Sequence, residues 1–124
     1  MAMTITETVE NYLETILILT LENSRVKSID VAKKMNVTKQ SAHRAIKNLH
    51  EHEYIEITDG NLSLTPKGNE IATKMYERHT LLASFFISLG VNKDIAYEDA
   101  CKIEHDISNE SFDAIKRLIK KGVK

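Results

Sequence analysis

Residues 28–52 read SIDVAKKMNVTKQSAHRAIKNLHEH, and this stretch decides the fold of the first half of the chain. It begins with a short helix over residues 29–35 that Ser28 can cap. A tight turn at residues 36–38 follows, and its threonine can cap a second helix that runs to about His52. Two short helices joined by a three-residue turn predict a helix-turn-helix.

The second helix of this motif has a buried face and a polar face at the same helical spacing. The buried face consists of Ala42, Ala45, Ile46 and Leu49. The polar face consists of Gln40, His43, Arg44 and Lys47, as expected of a helix that enters the major groove of DNA.

The residue types on the polar face predict which part of DNA each contacts. Gln40 and Arg44 are predicted to read base edges, because amides pair with adenine and guanidinium groups with guanine. His43 can contact either bases or phosphates. Phosphate contacts are predicted for Thr38, Lys39, Ser41 and Lys47.

Charge is distributed unevenly along the chain. Residues 25–50 carry a net charge of +6, whereas residues 1–24 carry −4 and residues 51–124 carry −3. A basic block in a chain of net charge −1 indicates contact with nucleic acid. Charge alone also allows a merely solvated surface or an acidic protein partner.

The segments around the motif complete a mainly α fold. Residues 6–22 are predicted to form an amphipathic helix capped by Thr6. Apolar and polar residues alternate on both sides of Asp59-Gly60 within residues 54–64, which predicts a β-hairpin, the wing. Its tip contains no lysine or arginine. A long helix is predicted from Pro66 to about Leu89, ending at Gly90.

Two further helices follow, capped by Asn92 and Ser108. In the last helix, the residues expected to face inward are Phe112, Ile115, Leu118 and Ile119. Apolar residues of the preceding long helix are expected to form a two-fold dimer surface: Leu81, Leu82, Phe85 and Phe86.

Composition indicates a cytoplasmic protein. The chain has 124 residues, 42% of them hydrophobic, and no apolar run near the ~20 residues that a membrane span needs. Its single cysteine cannot form an internal disulfide, which fits a reducing compartment.

Residues 99–105, DACKIEH, contain the candidate chemical site. At positions i, i+3 and i+4 of a helix, Cys101, Glu104 and His105 would share one face. The apolar residues of this segment are expected on a separate side. A thiolate, a carboxylate and an imidazole together favour a transition metal, although a solvated polar face with an incidental cysteine explains the triplet equally well.

With these motifs in order, the sequence resembles the metal-dependent repressors of the diphtheria-toxin-repressor and manganese-repressor family. The similarity covers nearly all of residues 7–121. It is carried by TVENYLETI at residues 8–16, LTPKG at residues 64–68, RHTLL at residues 78–82 and EDACKIEHDIS at residues 98–108. The chain ends where the iron branch continues into an SH3-like domain, so the short form is expected.

The resemblance implies an Fe(II)- or Mn(II)-loaded homodimer that binds a double-stranded operator and represses metal-uptake genes. It assigns metal ligands to Glu14, His79, Glu104 and His105. Cys101 matches the iron branch, and Asn11 stands where the branches use an aspartate or a methionine. An amide oxygen is a weaker donor, which leaves the role of Asn11 open.

The resemblance also implies an incomplete second metal site, because Ala83 and Tyr97 replace ligands of the iron branch. The thiolate of Cys101 favours Fe(II), Co(II), Ni(II) or Zn(II) over Mn(II) on affinity. No membrane or small-molecule substrate is expected as a partner. The predicted domains are a winged helix-turn-helix over residues 1–68 and a helical dimerisation and metal-binding domain over residues 69–124.

Three other functions remain open at this point. The chain can be a winged-helix regulator that does not respond to metal, with His79 in the core. It can also be an interaction module whose basic block binds an acidic protein. A metalloenzyme is disfavoured, because the sequence has no HExxH motif, no glycine-rich phosphate loop and four glycines in all.

Overall fold

The computed structural model describes residues 6–121, which form helices and one two-stranded sheet. In chain order the elements are α1 (Glu7–Glu22), α2 (Ser28–Met35), α3 (Lys39–Glu51), β1 (Ile55–Thr58), β2 (Asn61–Leu64), α4 (Pro66–Ser88), α5 (Lys93–Ile103) and α6 (Asn109–Lys121). The prediction of a mainly α protein with an N-terminal winged helix-turn-helix is confirmed. The chain divides into two compact units, one up to Thr73 and one from Lys74, and the division falls inside α4.

Side-chain caps set the starts of several helices. The Thr6 hydroxyl accepts a hydrogen bond from the Val9 amide, and the Thr38 hydroxyl accepts one from the Ser41 amide at 3.0 Å. Asn92 caps α5 in the same way. These three caps were predicted correctly.

The predicted cap of α2 is wrong by one residue. Lys27 is the N-cap and Ser28 is already helical, because the Asp30 carboxylate accepts a hydrogen bond from the Lys27 amide at 2.9 Å. The buried side of α2 follows this shift. Val31 and Ala32 are buried, whereas Ile29 is only half-buried.

The core of the first unit draws on α1, α2, α3, the wing and the start of α4. Its fully enclosed side chains include Leu13, Ile16, Val31, Leu49 and Ile55. The wing joins this core through its backbone as well, since the Leu62 amide donates a 2.7 Å hydrogen bond to the Val26 carbonyl.

The wing is an antiparallel hairpin with the predicted turn. Thr58 pairs with Asn61 at its tip, and Ile55 pairs with Leu64 at its base. Asp59 and Gly60 both have positive φ, 52° and 79°, as a two-residue type I′ turn requires.

The start of α4 packs directly against the turn that joins α3 to the wing. The Thr65 hydroxyl accepts a hydrogen bond from the Gly68 amide and donates one to the Glu53 carbonyl. Gly68 lies so close to Tyr54 that an added Cβ would overlap the Tyr54 carbonyl oxygen. The glycine is therefore required for close packing, although in a helix it normally costs stability.

We predict that Gly68→Ala lowers the free energy of unfolding by about 1–3 kcal/mol, because the new methyl group must displace backbone. Urea unfolding of the purified protein measures this change. The neighbouring exposed Asn69→Ala serves as the control and should change stability by less than about 0.5 kcal/mol. Equal stability of Gly68→Ala and the parent would contradict the close approach.

The second unit has its own small core, formed by Leu82, Ala83, Ala100 and Phe112. Two predictions about its apolar residues are wrong. Leu118 of α6 is 47% exposed, and Leu82 lies inside this core instead of on a dimer surface. Helical spacing gives the direction of a residue on its helix but not how much of it a neighbouring element covers. None of the helices in residues 6–121 is long and apolar enough to cross a lipid bilayer.

Candidate metal centre and nucleic-acid interface

Glu104 is the centre of a buried polar cluster in the second unit. Its side chain is fully buried, and it lies in the turn that follows α5. One carboxylate oxygen, Oε2, is 2.8 Å from Nδ1 of His79, and the other, Oε1, is 3.4 Å from Nε2 of His105. The structure therefore brings together His79, Glu104 and His105, three of the predicted ligands.

The ring of His79 is held by two contacts. Nδ1 hydrogen-bonds to Glu104, and the ring of Tyr97 packs against it with 5.4 Å between centroids. When Nδ1 carries the proton, the lone pair available for a metal lies on Nε2. A carboxylate that fixes the tautomer of a histidine in this way is common around metal sites.

The cluster fits a divalent cation. Oε1 of Glu104 is buried and accepts no hydrogen bond from any residue in the described range, 6–121. Burying a carboxylate oxygen without a donor is costly, and a cation bound there would supply the missing positive charge. The neighbouring Nε2 of His105, on a side chain that is 1% exposed, is a second ligand atom of suitable type.

The predicted separation of the polar triplet from the apolar stripe is wrong. Helix α5 ends at Ile103, which is 37% exposed, whereas Glu104 is buried on the side of Ala100. The reason is geometric, because residues four apart differ by about 40° around a helix and residues three apart by about 60°. Cys101 is exposed, so its thiol does not share the burial of Glu104.

The two remaining candidate ligands lie on α1, in the first unit. Glu14 is buried and Asn11 is half-buried. Tyr12 lies between them in sequence, and its burial raises the pKa of its phenol above the usual value, so the phenol stays neutral at physiological pH.

Arg78 is a buried residue whose importance the sequence reasoning missed. It is 4% exposed, and its guanidinium donates hydrogen bonds to the carbonyl oxygens of Glu104 and Ile107 and to the side chain of Asn109. Helical spacing does not distinguish it from His79. Arg78 lies three residues after the buried Met75 and four before the buried Leu82. His79 lies four after the first and three before the second, so both flank the same buried stripe.

The predicted DNA-reading face of α3 is exposed in the first unit. The residues on this face are Lys39, Gln40, Ser41, His43, Arg44 and Lys47, and all are exposed. Opposite them, Ala42, Ile46 and Leu49 are buried in the core. Packing therefore holds α3 by its apolar side and leaves the basic side open to a ligand.

Thr38 and Ser41 are already engaged at the start of α3. The Thr38 hydroxyl donates a 2.9 Å hydrogen bond to the Ser41 hydroxyl, in addition to capping the helix. A phosphate oxygen accepts hydrogen bonds, so Ser41 would contact it by donating its hydroxyl proton and Thr38 by donating its backbone amide. Lys39 and Lys47 supply charge near the two ends of the same face.

Two family models together match most of the chain. The model described as the iron dependent repressor N-terminal DNA binding domain matches residues 4–60. The model described as the iron dependent repressor metal binding and dimerisation domain matches residues 65–122.

Two relatives are similar over most of their own length. The uncharacterized HTH-type transcriptional regulator MJ0568 of Methanocaldococcus jannaschii is 32% identical over 118 residues, covering 93% of this chain and 94% of that protein. The HTH-type transcriptional regulator MntR of Geobacillus thermodenitrificans is 34% identical over 115 residues, covering 92% of this chain and 82% of that protein.

Solved structures share the fold. IdeR of T. acidophilum superposes with a TM-score of 0.78 at 27% identity, over 98% of this chain and 56% of that one. The manganese regulator SloR superposes with a TM-score of 0.79 at 24% identity, over 95% of this chain and 55% of that one. The chain thus spans little more than half the length of these two proteins.

Proposed function

The chain belongs to the iron-dependent repressor family, and from that premise we propose that a divalent metal ion controls how tightly it binds operator DNA as a homodimer. It is a DNA-binding transcriptional regulator and not an enzyme. The observation that supports metal control is the buried Glu104 carboxylate, whose Oε1 faces His105 and accepts no hydrogen bond from the described residues.

The metal ligands that we propose are the residues that the sequence predicted. Glu104 and His105 would bind the ion through the atoms described above, and His79 would either bind it or orient Glu104. The buried carboxylate of Glu14 would supply a further oxygen ligand. Cys101 and Asn11 are proposed as additional, weaker candidates because the first is exposed and the second is a neutral amide.

The bound ion would contribute positive charge at a site rich in carboxylates and imidazoles. Because Glu14 belongs to α1 of the DNA-binding unit and His105 to the dimerisation unit, an ion held by both would restrict their relative motion. Restricting the dimer to arrangements that place both α3 helices in successive major grooves would raise DNA affinity. In that dimer, Gln40 and Arg44 would read bases while Lys39 and Lys47 bind phosphates.

We propose Fe(II) or Mn(II) as the physiological ion. Carboxylates suit Mn(II) and imidazoles suit both metals, whereas a thiolate shifts preference toward softer ions. Co(II), Ni(II) and Zn(II) are expected to bind in vitro, since their intrinsic affinity for such sites is higher.

Replacing the thiol with a carboxylate tests whether Cys101 contributes to metal choice. We expect Cys101→Asp to shift the metal response toward Mn(II), because a harder oxygen ligand replaces a soft sulfur. Anaerobic titrations with Mn(II) and Co(II) measure the shift, with Cys101→Ser as the control for loss of the thiol alone. An unchanged order of metals in Cys101→Asp would show that the thiol is not a ligand.

The proposed function is tested by selecting duplexes from a randomised DNA pool in the presence of Mn(II), under reducing conditions. We expect the selected duplexes to share a palindromic sequence and to lose affinity when EDTA is added. Selection of a shared sequence that EDTA does not weaken would favour a metal-independent regulator. Failure to select any sequence would favour a protein partner for the basic block.

A further inference from the structure

Two consecutive residues of α4 hold a single residue of the turn after α5. Arg78 donates a 2.8 Å hydrogen bond to the main-chain carbonyl of Glu104, and His79 hydrogen-bonds to the Glu104 side chain at 2.8 Å. The backbone and the carboxylate of Glu104 are therefore fixed from the same turn of one helix.

The guanidinium of Arg78 also spans the rest of the turn. It donates to the Ile107 carbonyl at 2.9 Å and to the Asn109 side chain, and it lies 5.3 Å from the centre of the Phe112 ring. Carbonyls at the C-terminal end of a helix have no intrahelical donor, so the arginine satisfies groups that would otherwise be buried without a partner. One planar fork thus joins α4, the end of α5 and the start of α6.

We propose that Arg78 is a positioning residue for the metal centre, which rests on the function proposed above. It fixes the turn so that Glu104 and His105 present Oε1 and Nε2 side by side before any ion arrives. Preorganised ligands bind a metal more tightly, because less conformational entropy is lost on binding. Arg78 acts through Glu104 and does not itself bind the ion, since a guanidinium has no lone pair to offer.

The experiment measures Mn(II) affinity by calorimetry for Arg78→Lys and for the parent. Lysine keeps the charge but cannot reach three acceptors at fixed angles, so we expect affinity to fall about 10–100-fold, the range typical of residues that orient metal ligands. Glu77→Gln is the matched control. Glu77 also links α4 to α6, through a 3.0 Å contact with Lys116, but it does not contact the turn after α5. The Mn(II) affinity of Glu77→Gln should therefore differ from that of the parent by less than about twofold.

A double-mutant cycle separates positioning from general destabilisation. If Arg78 acts through Glu104, Arg78→Lys should lower Mn(II) affinity far less in the Glu104→Gln background than in the parent protein. If Arg78 has a purely structural role, the double variant should instead lose affinity by the product of the two single fold-losses. Asn109→Ala removes only one of the acceptors of Arg78 and provides a milder variant if Arg78→Lys does not fold. Its Mn(II) affinity is then expected to fall at least threefold.

The outcomes are distinct. Failure of the parent to bind Mn(II) would overturn the proposed metal centre itself. If the parent binds Mn(II) and Arg78→Lys binds it within twofold of the parent's affinity, only the proposed role of Arg78 is overturned. Asn109→Ala takes the place of Arg78→Lys in this comparison if only that variant folds. Independent losses in the double-mutant cycle would also overturn that role.

Discussion

Glu104→Gln is expected to abolish metal-stimulated DNA binding while the protein stays folded. The amide keeps the size of the side chain and an oxygen that can accept the hydrogen bond from His79. It removes the negative charge and one strong metal-ligand oxygen, so we expect Mn(II) affinity to fall more than about 100-fold, beyond the loss typical of residues that only orient ligands. Calorimetry gives the metal affinity, and anisotropy of a labelled duplex gives the DNA affinity.

Glu98→Gln is the matched control for this prediction. Glu98 is an exposed carboxylate on α5 that forms an ion pair with Lys102 at 3.6 Å, so its loss should leave metal response unchanged. His79→Ala is expected to act in the same direction as Glu104→Gln. Parent-like metal stimulation in both Glu104→Gln and His79→Ala would show that the response originates elsewhere.

Arg44→Ala is expected to weaken binding to the selected duplex about 10–100-fold and to relax sequence preference at one base pair. Arg44 is exposed near the middle of the α3 face, and a lost bidentate contact to guanine costs about 1–3 kcal/mol. Affinities for the selected duplex and for variants with single base changes measure both effects.

Lys47→Ala should behave differently, since it is predicted to bind phosphate. We expect a similar loss of affinity for every sequence and a salt-dependence slope smaller by about 1. If Arg44→Ala and Lys47→Ala both weakened all sequences equally, the assignment of Arg44 to base reading would be wrong.

The DNA-binding half was the more predictable part of the fold. Helical spacing placed Ala42, Ile46 and Leu49 on the buried side of α3, and Asp59-Gly60 predicted the hairpin turn. These features depend on residues close together in sequence, for which helix-capping preferences, turn residues and hydrophobic periodicity are informative. The start of α2 was missed because Asp30 satisfies the amide of Lys27 from within the helix.

The polar cluster around Glu104 was predicted only in part, because it depends on contacts between residues that are distant in sequence. Resemblance to a family indicated His79, Glu104 and His105, and the structure brings them together. Local spacing wrongly put Glu104 with Cys101 on one polar face, because it does not show which side of α5 the rest of the unit covers. Arg78 contacts groups 26–31 residues away, which periodicity within α4 cannot show.

The most direct test of the metal centre is an anomalous difference map from a crystal soaked in Mn(II) under reducing conditions. We expect one peak in each protomer within coordination distance of Oε1 of Glu104 and Nε2 of His105. A map with no peak at these two atoms, from crystals of protein that binds Mn(II) in solution, would rule out the proposed metal centre and leave only the DNA-binding function supported.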